Sequence, residues 1–560
     1  MTAGRPHRVL TTVALSAGLA IAAAGAGMVR AQAPASPAAS APIRPEAPRL
    51  VVVIVADQFT TRYVESYGHQ WSAGLRRLFT TGAYFPLAAY PYAYTVTCAG
   101  HHTISTGTVP ATHGMIGNDW FDRTSGRSMA CTSAPAVAPV AFGGGAVSEH
   151  HAPVWLRTPT FADELRLQAT RPPRILSLSL KARSAIGLAG RGGPNTMVVW
   201  EEDNGTWATS EAYTKVPWPE VDEYVKAHPI TAAYGQTWDR VMPVSRYLHE
   251  DDVAQEPSPR VFPHLLTSKS GKPDNSFVSL WERSPWSDAY LGDMASALAE
   301  RLKLGQQPGT DYLAVSFSSL DLVGHPFGPR SHEVQDVLAR LDAVLGRLFV
   351  TLDRRVGAAR YTVAFSSDHG VVPFPEHSLA AGMDAGRTSA GALRQAIQTA
   401  LTKAFGEGTY VANAGVPNVA LAPGVLDRVL SQPDAKRAVE AAVLAVPGIG
   451  AMYWAPQLAD PTATDDAILR ALRLSYVPGR SGDLMVVLRP YWLASGTGTS
   501  HGTPHHYDQQ VPVVFMGAGI QRGRYLTPAS PVDIAPTLGA LTGVRMARTD
   551  GRVLIEALAR

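Results

Sequence analysis

The sequence predicts an α/β fold with a mainly parallel central sheet and helices packed on both of its faces. Three observations lead there. Apolar runs of strand length alternate with amphipathic stretches of helix length along most of the chain. The strand runs are continuously apolar, the pattern of parallel strands buried on both sides. Acids and histidines stand directly after several of these runs, at the sheet edge where open α/β folds bind ligands.

The elements follow in order. Residues 50–56, LVVVIVA, form the first buried strand. A stretch built around Leu75-Arg76-Arg77-Leu78-Phe79 follows as a helix. Further strands are expected over 175–180, 312–317, 361–365, 484–488 and 511–515. Helices are expected over 287–302, 332–352, 392–405, 435–444 and 533–541. The long intervals 185–305 and 371–480 read as insertions on the sheet.

Composition narrows the function. Of 560 residues, 46% are hydrophobic and 17% charged, so the chain can bury a large core and is not disordered. The 50 Gly and 43 Pro point to many loops. Two cysteines cannot form a disulfide-rich scaffold. A net charge of +3 over this length gives no reason to expect a nucleic-acid partner.

Residues 1–31 read as a secretory signal peptide. Arg5 and Arg8 precede an uncharged, Ala- and Leu-rich run from Val9 to Val29, and the small residues around Ala31 suit cleavage. The competing reading is a membrane anchor, for which so much Ala and Gly is a poor composition. Residues 32–48 are a Pro/Ala linker, and 49–560 are read as a single catalytic domain. Arg5, Arg8 and Arg30 carry the whole charge excess, since the rest of the chain has 46 basic and 46 acidic side chains. The basic pI of 8.7 is therefore largely an export signal.

The chemistry lies at the strand ends. Asp57 follows LVVVIVA, Asp321 follows YLAVSFSSL, and Asp368 and His369 follow YTVAFSS. His325 stands four residues after Asp321, and His501 lies in the Gly-rich loop GTSHGTP. One Asp after a strand is ordinarily an N-cap or a turn residue. Several acids with nearby histidines are better read as ligands converging on one edge. They supply enough nitrogen and oxygen donors for two Zn2+ ions, and cysteine is not needed. Metals paired ~3.5–4 Å apart are a standard device for phosphoryl transfer. A ligand set running from Asp57 to His501 must close on one site. This argues against the three or four domains that ~150 residues per domain would suggest.

The segment Tyr94-Thr-Val-Thr97-Cys-Ala-Gly-His101-His102, with Gly117-Asn118-Asp119-Trp120 downstream, resembles the nucleophile region of the alkaline phosphatase superfamily. It is most similar to the phosphate-irrepressible branch, whose nucleophile is a threonine. The resemblance covers residues 50 to about 544, and seven separated motifs occur in the expected order. It implies an alkaline-phosphatase-like three-layer sandwich with large insertions. It implies an exported zinc enzyme that hydrolyses phosphate monoesters through a phosphothreonine on Thr97. Asp57, Asp368, His369 and Thr97 would hold one zinc; Asp321, His325 and His501 would hold the other. Asn118 would donate to a phosphoryl oxygen. Lys181 and Arg183 match the Lys-x-Arg element that contacts the transferred phosphate. The expected partners are small phosphate monoesters, on a periplasmic or secreted monomer with no membrane anchor.

The bottom-up chemistry agrees. A threonine hydroxyl is a weak nucleophile until a metal lowers its pKa. A helix starting at Thr97 would add backbone donors and a favourable dipole for an anion. Arg183 can grip two oxygens, and Lys181 acts as a point charge. Two alternatives are set against this reading. A nucleotide pyrophosphatase/phosphodiesterase of the same superfamily normally lacks the Lys-x-Arg pair, and a catalytically inactive phosphate- or metal-binding protein would not need every ligand in place. The sulfatase aldehyde motif is absent, because Cys98-Ala-Gly-His-His lacks its Arg. Cys98 is either paired with Cys131 or a free buried thiol. His101, His102, His113, His505 and His506 are expected to pack or hydrogen-bond, not to ligate.

Overall fold

Strand Leu50–Ala56 lies inside a ten-stranded sheet of a computed structural model that describes residues 46–559. The signal segment and most of the linker lie outside the described residues. Across the sheet the strands run Gly523–Arg524, Ala83–Phe85, Val513–Gly517, Tyr361–Ser366, Leu50–Ala56, Asp311–Phe317, Ile175–Ser179, Thr196–Glu201, Trp207–Ser210 and Pro139–Ala141. The five from Tyr361–Ser366 to Thr196–Glu201 are mutually parallel, and antiparallel strands flank them on both sides.

Alternation along one strand builds both cores. Side chains of successive strand residues point to opposite faces. Val52, Ile54 and Ala56 join one apolar cluster with helices Gly74–Thr81, Pro285–Arg301 and His332–Arg355. Val51, Val53 and Val55 join the other, with helices Thr97–Thr106, Phe161–Gln168 and Ile534–Thr542. A strand buried on both sides must be apolar throughout, which is why LVVVIVA does not alternate. Each fully buried Val or Ile contributes about 1.5–3 kcal/mol.

Register brings the strand ends level. Ala56 pairs with Phe317, Val55 with Ser366, and Ser316 with Ser179. The residues that follow, Asp57, Asp368, Asp321 and Lys181, therefore leave the sheet at one edge.

Two features differ from the sequence reading. The interval 185–305 is not wholly an insertion, because it supplies strands Thr196–Glu201 and Trp207–Ser210 to the main sheet. Strand Leu484–Leu488 is not in the main sheet. It lies in a separate antiparallel sheet between Asn418–Leu421 and Ile449–Trp454, covered by helices Ala390–Phe405 and Pro433–Leu444. A short apolar run cannot say which sheet buries it. No helix among the described residues is long and apolar enough to cross a membrane.

Candidate active site

The structure brings together Asp57, Asp321, His325, Asp368, His369 and His501 of the candidate ligands named from the sequence. Asp57, Asp368 and His369 are fully buried, and Asp321 is nearly so. The Nε2 of His369 lies 3.3 Å from Oδ1 of Asp57 and 3.4 Å from Oδ2 of Asp368. Oδ1 of Asp321 lies 3.1 Å from Nε2 of His325 and 3.8 Å from Nε2 of His501. The rings of His369 and His501 stack at 3.4 Å.

Each ligand histidine is oriented the same way. Nδ1 of His325 reaches the Thr499 carbonyl at 2.8 Å, Nδ1 of His369 the Gly370 carbonyl at 3.0 Å, and Nδ1 of His501 the Thr95 carbonyl at 2.9 Å. A carbonyl can only accept, so Nδ1 carries the proton and each Nε2 turns inward as a lone-pair donor. Metal-binding imidazoles are held in this way. Burial lowers the pKa of His369 and His501, favouring the neutral, ligating form.

The donor set fits divalent cations. Oδ1 of Asp57 and Oδ2 of Asp368 each approach Nε2 of His369, and all three atoms are buried with no hydrogen-bond partner. Such atoms are costly unless a cation meets them. Burial, and then the charges of Asp321 and Asp368, push the Asp57 carboxyl well above its usual range. Burial also acts against the charge on Asp321, but His325 and Lys181 outweigh it and hold that carboxyl low. Two triads are close enough to grip an ion: Asp321, His325 and His501, and Asp57, Asp321 and His369. Asp321 thus faces both.

Thr97 opens helix Thr97–Thr106, and the helix packs hard on the sheet edge. A Cβ on Gly100 would lie 2.3 Å from the Asp368 carbonyl oxygen, so only glycine permits this approach. His101 buttresses both partners. Its Nδ1 lies 2.8 Å from the Thr97 carbonyl and 3.3 Å from Oδ2 of Asp368, and its Nε2 lies 2.7 Å from Oγ of Ser316. His113 bonds Thr103, His102 bonds the Cys98 carbonyl, and His505 bonds the Leu488 carbonyl.

Asn118 sits beside helix Thr97–Thr106, and a disulfide ties the two segments together. Cys98 is bonded to Cys131, and the Cys131 N–H donates to the Asn118 carbonyl at 2.9 Å. Oδ1 of Asn118 in turn accepts the Cys98 N–H at 2.8 Å.

Lys181 is more deeply engaged than a phosphate-facing surface charge. Its Nζ donates at 2.6 Å both to Oδ2 of Asp57 and to Oδ2 of Asp321. Arg183 is the second residue of the next helix, Ala182–Ala189, and its Nε has no hydrogen-bond partner. Asn118, Lys181 and Arg183 line one cavity of about 520 Å³.

Sequence reasoning missed two supports. Gln58 takes a left-handed backbone, φ 66°, unusual for a residue with a side chain. This turns its amide onto Oδ1 of Asp321 at 2.7 Å, while its N–H reaches Oδ1 of Asp368 at 3.2 Å. Asp288 accepts the N–H groups of Ser318 and Ser319 at the start of helix Ser319–Phe327, and so places Asp321. Neither has a sequence signal beyond being polar.

The fold has known counterparts. The profile of the type I phosphodiesterase/nucleotide pyrophosphatase family matches residues 51–508. Alkaline phosphatase PafA of Elizabethkingia meningoseptica is 30% identical over 532 residues, which is 92% of this chain and 95% of that protein. Alkaline phosphatase PhoV of Synechococcus elongatus is 30% identical over 533 residues, covering 91% and 93% of the two chains. The crystal structure of wild-type PafA superposes with a TM-score of 0.83 at 29% identity, over 92% of this chain and 99% of that one. The likeness extends to the whole alkaline-phosphatase-like α/β architecture.

Proposed function

Because the chain belongs to the type I phosphodiesterase/nucleotide pyrophosphatase family and is related along nearly its whole length to alkaline phosphatases, we propose that it is an exported, zinc-dependent alkaline phosphatase. On this reading it hydrolyses small phosphate monoesters through a phosphothreonine, and acts as a monomer without a membrane anchor. The observation that carries the monoester reading is the grouping of Lys181 and Arg183 with Asn118 in one cavity. A monoester dianion carries one more negative charge than a diester, and two extra cations answer it.

Asp57, Asp368, His369 and Thr97 would hold one ion; Asp321, His325 and His501 would hold the second. When bound, zinc lowers the pKa of a hydroxyl or water oxygen and neutralises charge that develops in transfer. The chain's own residues do the rest. Thr97 Oγ1 attacks phosphorus in line and holds the phosphoryl group while the alcohol leaves. Water then displaces the phosphoryl group and restores the hydroxyl. Asn118 has committed its carbonyl oxygen to the Cys98 N–H, which leaves its NH2 to donate to a non-bridging oxygen. Arg183 grips the remaining oxygens, and Lys181 holds the Asp57 and Asp321 carboxylates while adding positive potential.

The test compares kcat/KM for p-nitrophenyl phosphate and methyl p-nitrophenyl phosphate in wild type and in Arg183→Ala. The monoester is expected to be preferred, and Arg183→Ala to cost it far more than the diester. Equal losses on both would favour a phosphodiesterase, the other activity in the family's description.

A further inference from the structure

The cavity that holds Asn118, Lys181 and Arg183 has a second, acidic wall that phosphoryl transfer does not use. Glu149, Glu201, Glu202 and Glu282 line it. Two of these are internally satisfied: Glu202 accepts Trp200 Nε1 at 2.7 Å, and Glu149 bonds His151 at 2.8 Å. Glu201 is different. It is 5% exposed, and neither carboxyl oxygen has a hydrogen-bond partner. Among the charges that act on it, that of the Glu282 carboxyl is the largest.

Both acids are held in place at a cost. Glu201 ends strand Thr196–Glu201, and its N–H donates to the Leu180 carbonyl at 3.3 Å, one residue before Lys181. Glu282 is the last residue of helix Asn275–Glu282, the end at which a helix dipole disfavours an anion. Among the described residues, neither forms an ion pair with Lys181, Arg183 or Arg283; Lys181 pairs with Asp57 and Asp321 instead, and the charges of Arg283 and Lys181 reach Glu282 without a contact. Burial, and then the charge of Glu282, raise the Glu201 carboxyl well above its usual range. Two carboxyls meeting in a buried wall disfavour ionising together, and the Glu201 oxygens remain unfilled acceptors.

Glu201 and Glu282 line the same cavity as Asn118 and Arg183, the residues that would hold the phosphoryl group, so an alcohol esterified to a phosphate bound there has this wall within the same space. We propose that Glu201 and Glu282 form a leaving-group subsite for an ammonium-bearing alcohol, so that phosphate monoesters of amino alcohols are preferred substrates. This rests on the phosphatase reading given above. An ammonium supplies donors to both carboxyls and cancels their charge, whereas an anionic leaving group is repelled by them.

The experiment uses two near-isosteric substrates, O-phosphoethanolamine and n-propyl phosphate, on the zinc-loaded full enzyme. Turnover of n-propyl phosphate tests the phosphatase reading, and the ratio of the two kcat/KM values tests the subsite. The wild-type ratio is expected at about ten- to hundredfold in favour of the ammonium, the worth of one charge-assisted hydrogen bond. Glu201→Gln and Glu282→Gln should each bring it down about tenfold. Turnover of n-propyl phosphate in each variant reports that the protein is folded. A wild-type ratio near one, or a ratio that neither substitution moves, would overturn the subsite while leaving the phosphatase intact. So would activation of both substrates by added Mg2+ that Glu201→Gln abolishes, since the wall would then be a cation site.

Discussion

Oδ1 of Asn118 accepts the backbone N–H of Cys98 at 2.8 Å, so the side chain proposed to face the phosphoryl group is fixed by the residue next to Thr97, the proposed nucleophile. The bond decides which end of the amide is free. Asn118→Ala is expected to lower kcat/KM for monoesters by on the order of 10²–10³, the usual loss for one donor to a developing anion. Asn118→Asp keeps the acceptor for Cys98 but replaces the donor with a charge, so it should be at least as damaging. Steady-state kinetics on both variants check this, and an Asp variant with wild-type rates would remove Asn118 from the chemistry.

Thr97→Ala should abolish phosphoenzyme formation and lower turnover by several orders of magnitude with both metals retained. Thr97→Ser, which keeps the hydroxyl, should recover most of it. Acid-quenched mass spectrometry locates the phosphoryl group. Phosphate found on any residue but Thr97 would reassign the nucleophile.

The Cys98–Cys131 bond closes a loop with a sequence separation of 33 and ties Thr97 to Asn118. A loop of that size is worth about 3–4 kcal/mol in the unfolded-chain entropy picture. Cys131→Ser should therefore lower the unfolding midpoint in urea and raise KM, because Asn118 loses its tether. Unchanged stability in wild type with and without reductant would show that the bond contributes nothing.

Gln58 and Gly324 act as a pair. A Cβ at Gly324 would lie 2.0 Å from Oε1 of Gln58, the amide whose Nε2 holds Asp321. Gln58→Ala and Gly324→Ala should each weaken metal binding about 10- to 100-fold, as loss of a group orienting a ligand does. Competition with a chelating dye measures this directly, without reference to turnover.

Asp508 gives a pH dependence of stability. It is fully buried; Oδ2 accepts the N–H and hydroxyl of Thr503, and Oδ1 has no partner. Burial pushes its carboxyl up to about 8 in the folded chain, against about 4 when unfolded. Between those values the folded state holds a proton that the unfolded chain has lost. Stability from this group is thus full at low pH, falls by about 1.4 kcal/mol per pH unit as pH rises, and levels off above about 8. Asp508→Asn should remove that slope in urea titrations across the interval, and an unchanged slope would place the Asp508 pKa elsewhere.

Much of the site was legible because strand ends are legible. LVVVIVA and YTVAFSS mark where buried strands stop, and the next residues must emerge at the sheet edge. Asp57, Asp368 and His369 could be named on that ground. The helix from Thr97 is legible only through a motif, and the disulfide is not legible, because the spacing of two cysteines does not fix their distance. Strand Leu484–Leu488 was recognised as a strand but not as part of the second sheet. Gln58 had no signal at all. Its role depends on a left-handed backbone at one residue and on an acid 263 positions away.

The sequence by itself determined the layered α/β architecture and the kinds of donor available, because periodicity, strand length and residue type are local properties. Tertiary structure alone decided which groups meet. Lys181 bridges Asp57 and Asp321 across 124 and 140 residues. Glu201 comes to face Glu282, with neither Glu201 oxygen given a hydrogen-bond partner. The physical reason is that burial sets the energy of a charge through its nearest neighbours. Those neighbours arrive from separate strands and helices only after the parallel register has aligned the ends.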